Sequence, residues 1–516
     1  MKILTAIFLI VLLAGPAYAQ NFDAGKFAAQ SGDYAAALRE WQPLAEQGDA
    51  RSQYSIGVIY ERGLGVPQDF GQALSWYERA AEQNYALAQY NLGALYQQGQ
   101  GVGKNYDEAL KWYRRAAEQG VDKAQYNLGF MYHQGQGGTA DFIEARKWYE
   151  LAAVQGYDLA QYNLAVMYAE GQGGPPDPIA AADWYRRAAD QDFALAQYNL
   201  GTLYYQGLGV GQDYAEALKW YLRAGEQNVA KAQYNLGSMY DNGQGVARNN
   251  AEALRWYRRA AEQGYTLAQY NFGSIYYRGR IVPRDPSEAA KWYRLAAEQG
   301  FARAQYQLAG LYFQGDGVPQ DDALAHSWYS RAAEQEYTDA QYNLGFMYEN
   351  GRGVQQDLAA ALKWYQRAAD KGHGLSLYNL GFMHASGKGV AKDLLRAVEL
   401  FQRSARSGVD RAQYNLGVMY ASGQGIAADD GEALKWYRLA AEQGHAKAQN
   451  NLGILLSESA TVPRDDVAAY MWFSLAKKNG FADAKAGLDS LALRMTADQI
   501  AEAERQAEQN LATMRR

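Results

Sequence analysis

The chain has 516 residues and a net charge of −6, with 56 acidic and 50 basic side chains interspersed along it. It has no cysteine, which excludes disulfides and thiol chemistry. A mixed, weakly acidic surface argues against nucleic acid, whose phosphates need a concentrated basic stripe. With 42 tyrosines and 12 tryptophans, stability has to come from buried rings.

The first element is a leader. Lys2, an apolar run from Ile3 to Leu13 and the small-residue site Ala17-Tyr18-Ala19 predict a signal peptide over 1–19, and with it a periplasmic or secreted mature protein. That run is short for a transmembrane helix, no later stretch is long enough to span a bilayer, and no cysteine could take a lipid. We therefore expect no integral membrane segment in the mature chain.

Residues 20–53 read as a degenerate leading unit, with Asp33-Tyr34, Ala37-Leu38 and Trp41. From there a tyrosine returns every 36 residues without insertion or deletion, from Tyr54, Tyr90 and Tyr126 through Tyr414, with Asn450 closing the series. Twelve copies of one unit over 54–489 predict a solenoid, in which stacking supplies the core.

Each unit writes two helices. Ala88, Leu92, Leu95 and Tyr96 form one apolar stripe and Ala109, Trp112, Tyr113 and Ala116 another, both at helical spacing. Between them, Gly99-Gln100-Gly101-Val102 is placed as glycines are when they end helices, not as a phosphate cradle. Asp or Asn then stands at Asp69, Asn105, Asp141, Asp177, Asp213, Asn249, Asp285, Asp321, Asp357, Asp393, Asp429 and Asp465. These are predicted helix N-caps, with capping boxes such as Asp213 with Glu216. One carboxylate per repeat cannot assemble a calcium site. Residues 490–516 form a C-terminal capping helix, opened by Thr496 with Gln499.

Leu-Gly-x-x-Tyr, Gly-x-Gly-Val, the Asp cap, Ala-x-x-Trp-Tyr and Ala-Ala-x-x-Gly at this period resemble the Sel-one-like repeat (SLR) family of the tetratricopeptide-repeat superfamily. Departures are local: Gly138 and Gly174 replace the loop valine, Leu400 the tryptophan, and Ser459 with Thr461 the loop glycines. The resemblance implies an all-α solenoid, a right-handed superhelix of antiparallel helix pairs whose first helices line a concave groove, with residues 20–53 as a tetratricopeptide-like cap. It also implies an adaptor that holds proteins together, often in envelope signalling, secretion or host contact.

Residues common to all copies serve stacking, so function is sought in the exceptions. The tryptophan column is read as core. A second stripe on the first helices carries asparagine in ten copies, among them Asn91, Asn127, Asn163, Asn199, Asn235, Asn271, Asn343 and Asn379. These amides could bond a peptide backbone, or could bond neighbouring helices and fix the stacking angle. Neighbouring columns vary and supply Phe130, Tyr205, Tyr277, Phe313, Phe346 and Phe382, a candidate apolar patch of the kind that makes interface hot spots. The alternative is that these rings fill gaps between helices.

No catalytic constellation emerges. Ser474-Leu475-Ala476-Lys477 matches Ser-x-x-Lys, but neither Ser-Asp-Asn nor Lys-Thr-Gly occurs, so it reads as chance. The five histidines are scattered, without a zinc-binding pair. The expectation is a non-catalytic scaffold that binds protein or peptide in its groove, without cofactor or metal. The alternatives are a glycan-binding component of exopolysaccharide export and an envelope enzyme or cell-wall hydrolase accessory.

Overall fold

The computed structural model describes residues 22–514; the expected leader, 1–19, lies outside them. Twenty-eight helices and no strand occur among the described residues. The chain divides into two compact units, Met1–Arg259 and Ala260–Arg516, and within each, helices consecutive in sequence pack together. The architecture is an all-α solenoid.

One element set repeats because one set of residues does. In the first unit, helices Ala86–Gln98 and Tyr106–Glu118 form a pair. Gly99 ends the first at φ 77°, its N–H bonded to Leu95 O, in the left-handed conformation that costs glycine nothing. Asn105 starts the second by accepting from the N–H groups of Asp107 and Glu108. All twelve predicted caps accept from backbone N–H in this way.

The capping boxes are only half made. The cap's own N–H is taken by a carbonyl of the preceding helix, as in Asn105 N to Tyr96 O and Asp213 N to Tyr204 O. In four repeats the glutamate three residues on accepts instead from a tryptophan indole: Glu108 from Trp112, Glu144 from Trp148, Glu288 from Trp292 and Glu432 from Trp436, each at 3.0 Å; Glu216 takes Lys219 instead, and the Trp220 indole N–H is buried without a partner. A reciprocal box forms at the last helix, where Thr496 N donates to Gln499 Oε1 and Gln499 N to Thr496 Oγ1.

The core is built across repeats. Tyr77 of one second helix packs with Leu92 of the next first helix and Trp112 of the next second helix, and the trio recurs as Tyr113, Leu128 and Trp148. Near Tyr365, Leu400 fills the tryptophan's place and is fully buried. Gly93 lets the Tyr113 ring lie on the helix backbone; a Cβ there would stand 2.8 Å from Tyr113 Cδ1. Burying one such ring contributes about 4–6 kcal/mol before entropy is charged against it. The tryptophans are not uniformly core, as the sequence reading had them: Trp292, Trp328 and Trp364 are half-buried. Arg331 and Arg367 lie over the last two rings, at 4.5 and 4.6 Å.

A glutamine ladder, not foreseen, runs through both units. Gln125 is buried, donates to Ala117 O at 3.1 Å and accepts from Gln155 at 2.7 Å; Gln305 does the same with Ala297 O and Gln335. The ladder breaks at two successive rungs, the second because Leu377 and Ser407 stand in the glutamine columns. At the first, Lys371 stands where a glutamine would, turned to Glu336, and the Gln341 Oε1 is left buried without a partner.

The ends are lids. Trp41 covers Gly25 and donates to Phe22 O at 3.0 Å, while helices Ala484–Ala492 and Ala497–Met514 close the other end.

Candidate functional site

The asparagine column lies along the first helices, half-buried in every copy named above. Its amides reach tyrosine hydroxyls of the preceding repeat. Asn91 faces Tyr54, Tyr77 and the Glu61 carboxylate; Asn127 faces Tyr90 and Tyr113; Asn163 donates to Tyr126 at 3.5 Å and faces Tyr149. The pattern continues with Asn199 on Tyr162 and Tyr185, Asn235 on Tyr221, Asn343 on Tyr306 and Tyr329, and Asn379 on Tyr342 and Tyr365. Asn271 holds the same position at the start of the second unit. Asn91 and Asn163 direct one N–H to the preceding repeat, each at 3.5 Å, leaving the amide oxygen and the second N–H to meet a ligand.

The aromatic exceptions separate into three environments. Phe130 is half-buried, stacks on Tyr126 at 6.4 Å and packs against the core of its own unit. Tyr205 donates to Gln244 at 3.1 Å, meets Tyr214 edge-on, and lines a cavity of about 280 Å³ with Thr202, Asn235 and Ser238. Tyr277, Phe313 and Phe346 come together. They line a cavity of about 490 Å³ in the second unit with Tyr306, Gln307, Gly310, Leu311, Gln314, Tyr329, Tyr342 and Asn343. Phe382 stands apart, 46% exposed.

The larger cavity exists because one repeat departs from the rule. Most other first helices carry Leu-Gly and all carry a side chain directly after that pair; this one has Leu308-Ala309-Gly310, and Gln307 in place of asparagine. A Cβ on Gly310 would meet only Tyr329 Oη, at 3.6 Å, so the missing side chain leaves a hole. Phe313 and Phe346 meet edge-on across it, centroids 6.3 Å apart. Phe313 is held from behind by Arg352, whose guanidinium lies 3.8 Å from the ring centroid and grips Asp322 at 2.7 and 2.9 Å. That clamp holds the Asp322 carboxyl below its usual range. Burial pushes the Tyr306, Tyr329 and Tyr342 hydroxyls upward, so all three stay protonated donors at neutral pH. A volume in the range of ligand pockets, aromatic walls and a few polar groups fit a site for one bulky side chain.

Gln307 and Arg352 were missed from sequence, and Gly310 was visible only as one member of the variable column that holds Phe130, Phe346 and Phe382. The Gly-Ala exchange at 309–310 was the available signal. Among the described residues no cluster of His, Asp or Glu could hold a metal ion, and no helix is long and apolar enough to cross a membrane.

The Sel1 repeat family model matches twelve times in succession, tiling residues 50–481 from 50–85 and 86–121 to 446–481. A protective antigen with an SLR fold, present in uropathogenic Escherichia coli strains, is 36% identical; the alignment covers 85% of this chain and 94% of that one, with TM-score 0.76. A Sel1 repeat protein from Oxalobacter formigenes is 35% identical over 63% of this chain and 93% of its own, with TM-score 0.49. No curated protein matches. On the twelve contiguous repeats and this relative, the chain belongs to the Sel1 repeat family.

Proposed function

We propose that this protein is a non-catalytic periplasmic or secreted scaffold that binds protein or peptide segments along its first helices, in envelope signalling, secretion or host contact. The Gly310 cavity carries the reading. A repeat that needs only to stack has no reason to lose a side chain between two phenylalanines and a ring of tyrosine hydroxyls, and binding energy concentrates in such aromatic pockets. Sel1 repeats typically bind proteins, and the similar E. coli protein is described as a protective antigen, which supports a location outside the cytoplasm. The leader expected over 1–19 supports the same location.

The test is a photoreactive benzoylphenylalanine at position 346 of the full chain in cells. A discrete protein adduct is expected, and Gly310→Leu, which fills the cavity, abolishes it. Adducts with polysaccharide alone would favour the glycan reading, and unchanged capture by the filled variant would overturn the site.

A further inference from the structure

Resting on that reading, we infer that the cavity takes an acidic segment: an extended peptide with one aromatic or large aliphatic side chain seated over Gly310 and carboxylates on both sides. The charge around the opening decides the class. The walls carry no charged side chain. Most nearby carboxylates are ion-paired within the protein: Asp316 with Arg284, Asp322 with Arg352, and Glu349 with Lys388 at 2.8 Å; Asp339 faces only His373, at 3.6 Å, an imidazole that burial holds toward its neutral form, so one carboxylate remains.

Arg411, exposed and without an ion-pair partner among the described residues, acts on the wall residue Tyr342, and two further arginines are left over. Arg278 follows the wall residue Tyr277 directly and acts on Tyr293. Arg303 stands one helical turn before the wall residue Gln307, on the same helix face. It acts on Tyr337, whose ring lies 5.0 Å from that of Tyr306, another wall residue. Both are exposed, and neither has an ion-pair partner among the described residues. An uncharged aromatic socket with three exposed guanidiniums and one carboxylate around it complements a ligand with an apolar centre and anionic flanks. The guanidiniums would steer its approach and reject basic segments, and the socket would hold it.

The experiment is fluorescence anisotropy on the full chain with three fluorescein-labelled decapeptides: one phenylalanine flanked by glutamates, the same peptide with that phenylalanine changed to alanine, and the same peptide with its glutamates changed to lysines. We expect the first to bind at least about tenfold more tightly than either other, and the preference to shrink as salt rises past the screening range. Gly310→Leu removes binding. Gly310→Ala, which meets no wall closer than 3.6 Å, weakens it while helicity by circular dichroism is kept. Arg278→Glu with Arg303→Glu reverses the charge preference. If the lysine peptide binds as tightly as the glutamate peptide and Gly310→Leu abolishes both, the acidic class is wrong and the binding site stands. If no peptide binds, or Gly310→Leu changes nothing, both fall.

Discussion

Replacing Gln125 by leucine removes one rung of the glutamine ladder while keeping nearly the same volume. Two hydrogen bonds go: the 3.1 Å donation to Ala117 O and the 2.7 Å acceptance from Gln155. Neither partner is fully orphaned, because Ala117 O still accepts from Gly120 N at 3.0 Å and Gln155 is exposed to water. The cost is therefore set by net bond strength, about 1 kcal/mol each, not by the larger penalty for an unpaired buried group. Burying the leucine side chain offsets part of it, giving roughly 1–2 kcal/mol in all. A repeat array opens in stages, so the assay is amide hydrogen exchange in helices Tyr106–Glu118 and Asp122–Gln134, expected to speed up about five- to thirtyfold. Gln125→Glu sharpens the test. Its carboxyl must be protonated to donate to Ala117 O, so its folded-state pKa lies above the unfolded value of about 4.3. The variant is close to wild type below that pH and loses stability as pH rises through the folded-state pKa. A leucine variant that exchanges more slowly, or a glutamate variant whose cost does not change with pH, would refute the ladder's role.

Three further outcomes follow from the same geometry. Lys371→Gln gives Gln341 Oε1 its missing partner at the loss of an exposed ion pair, and is expected to slow exchange around Gln341 by about fivefold, near 1 kcal/mol; faster exchange contradicts this. Gly353→Ala puts a Cβ 2.0 Å from Asp322 O at a backbone φ of 68°, which costs at least about 2 kcal/mol. It also loosens the Asp322–Arg352 clamp behind Phe313, so peptide affinity falls with thermal stability; unchanged values of both contradict the loop's role. Burial pushes Tyr221, Tyr293 and Tyr437 up to about 12, against about 10 in the unfolded chain. Their contribution is complete below pH 10 and is lost as pH climbs from 10 toward 12. Phenolate absorbance should rise in two steps, the second coinciding with loss of helical circular dichroism; a single step near pH 10 with helicity intact would contradict this.

The fold was legible because its determinants are local and recur. The tyrosine period, the Asp69-to-Asp465 caps, the left-handed glycine after eleven of the twelve first helices and the Thr496–Gln499 box each depend on a few neighbouring residues. What escaped depends on residues brought together from different repeats. The Gln125 column looks like any polar helix position until the carbonyl of the preceding helix arrives beside it. Glu108 was given to the backbone because the sequence does not show that Tyr96 O has already taken the cap's N–H. The aromatic exceptions were visible, and three of them share a cavity; but a cavity is an absent side chain, and the alanine–glycine exchange at 309–310 gains meaning only when Tyr329 and Phe346 surround it. Periodicity alone did not distinguish the buried Trp112 from the half-exposed Trp364.

The most direct measurement is a crystal structure of the full chain with the phenylalanine–glutamate peptide bound. The account predicts the peptide's ring over Gly310, between Phe313 and Phe346, with its carboxylates toward Arg278 and Arg303. A peptide lying instead on the second helices against the tryptophan column, with the Gly310 cavity empty, would contradict it.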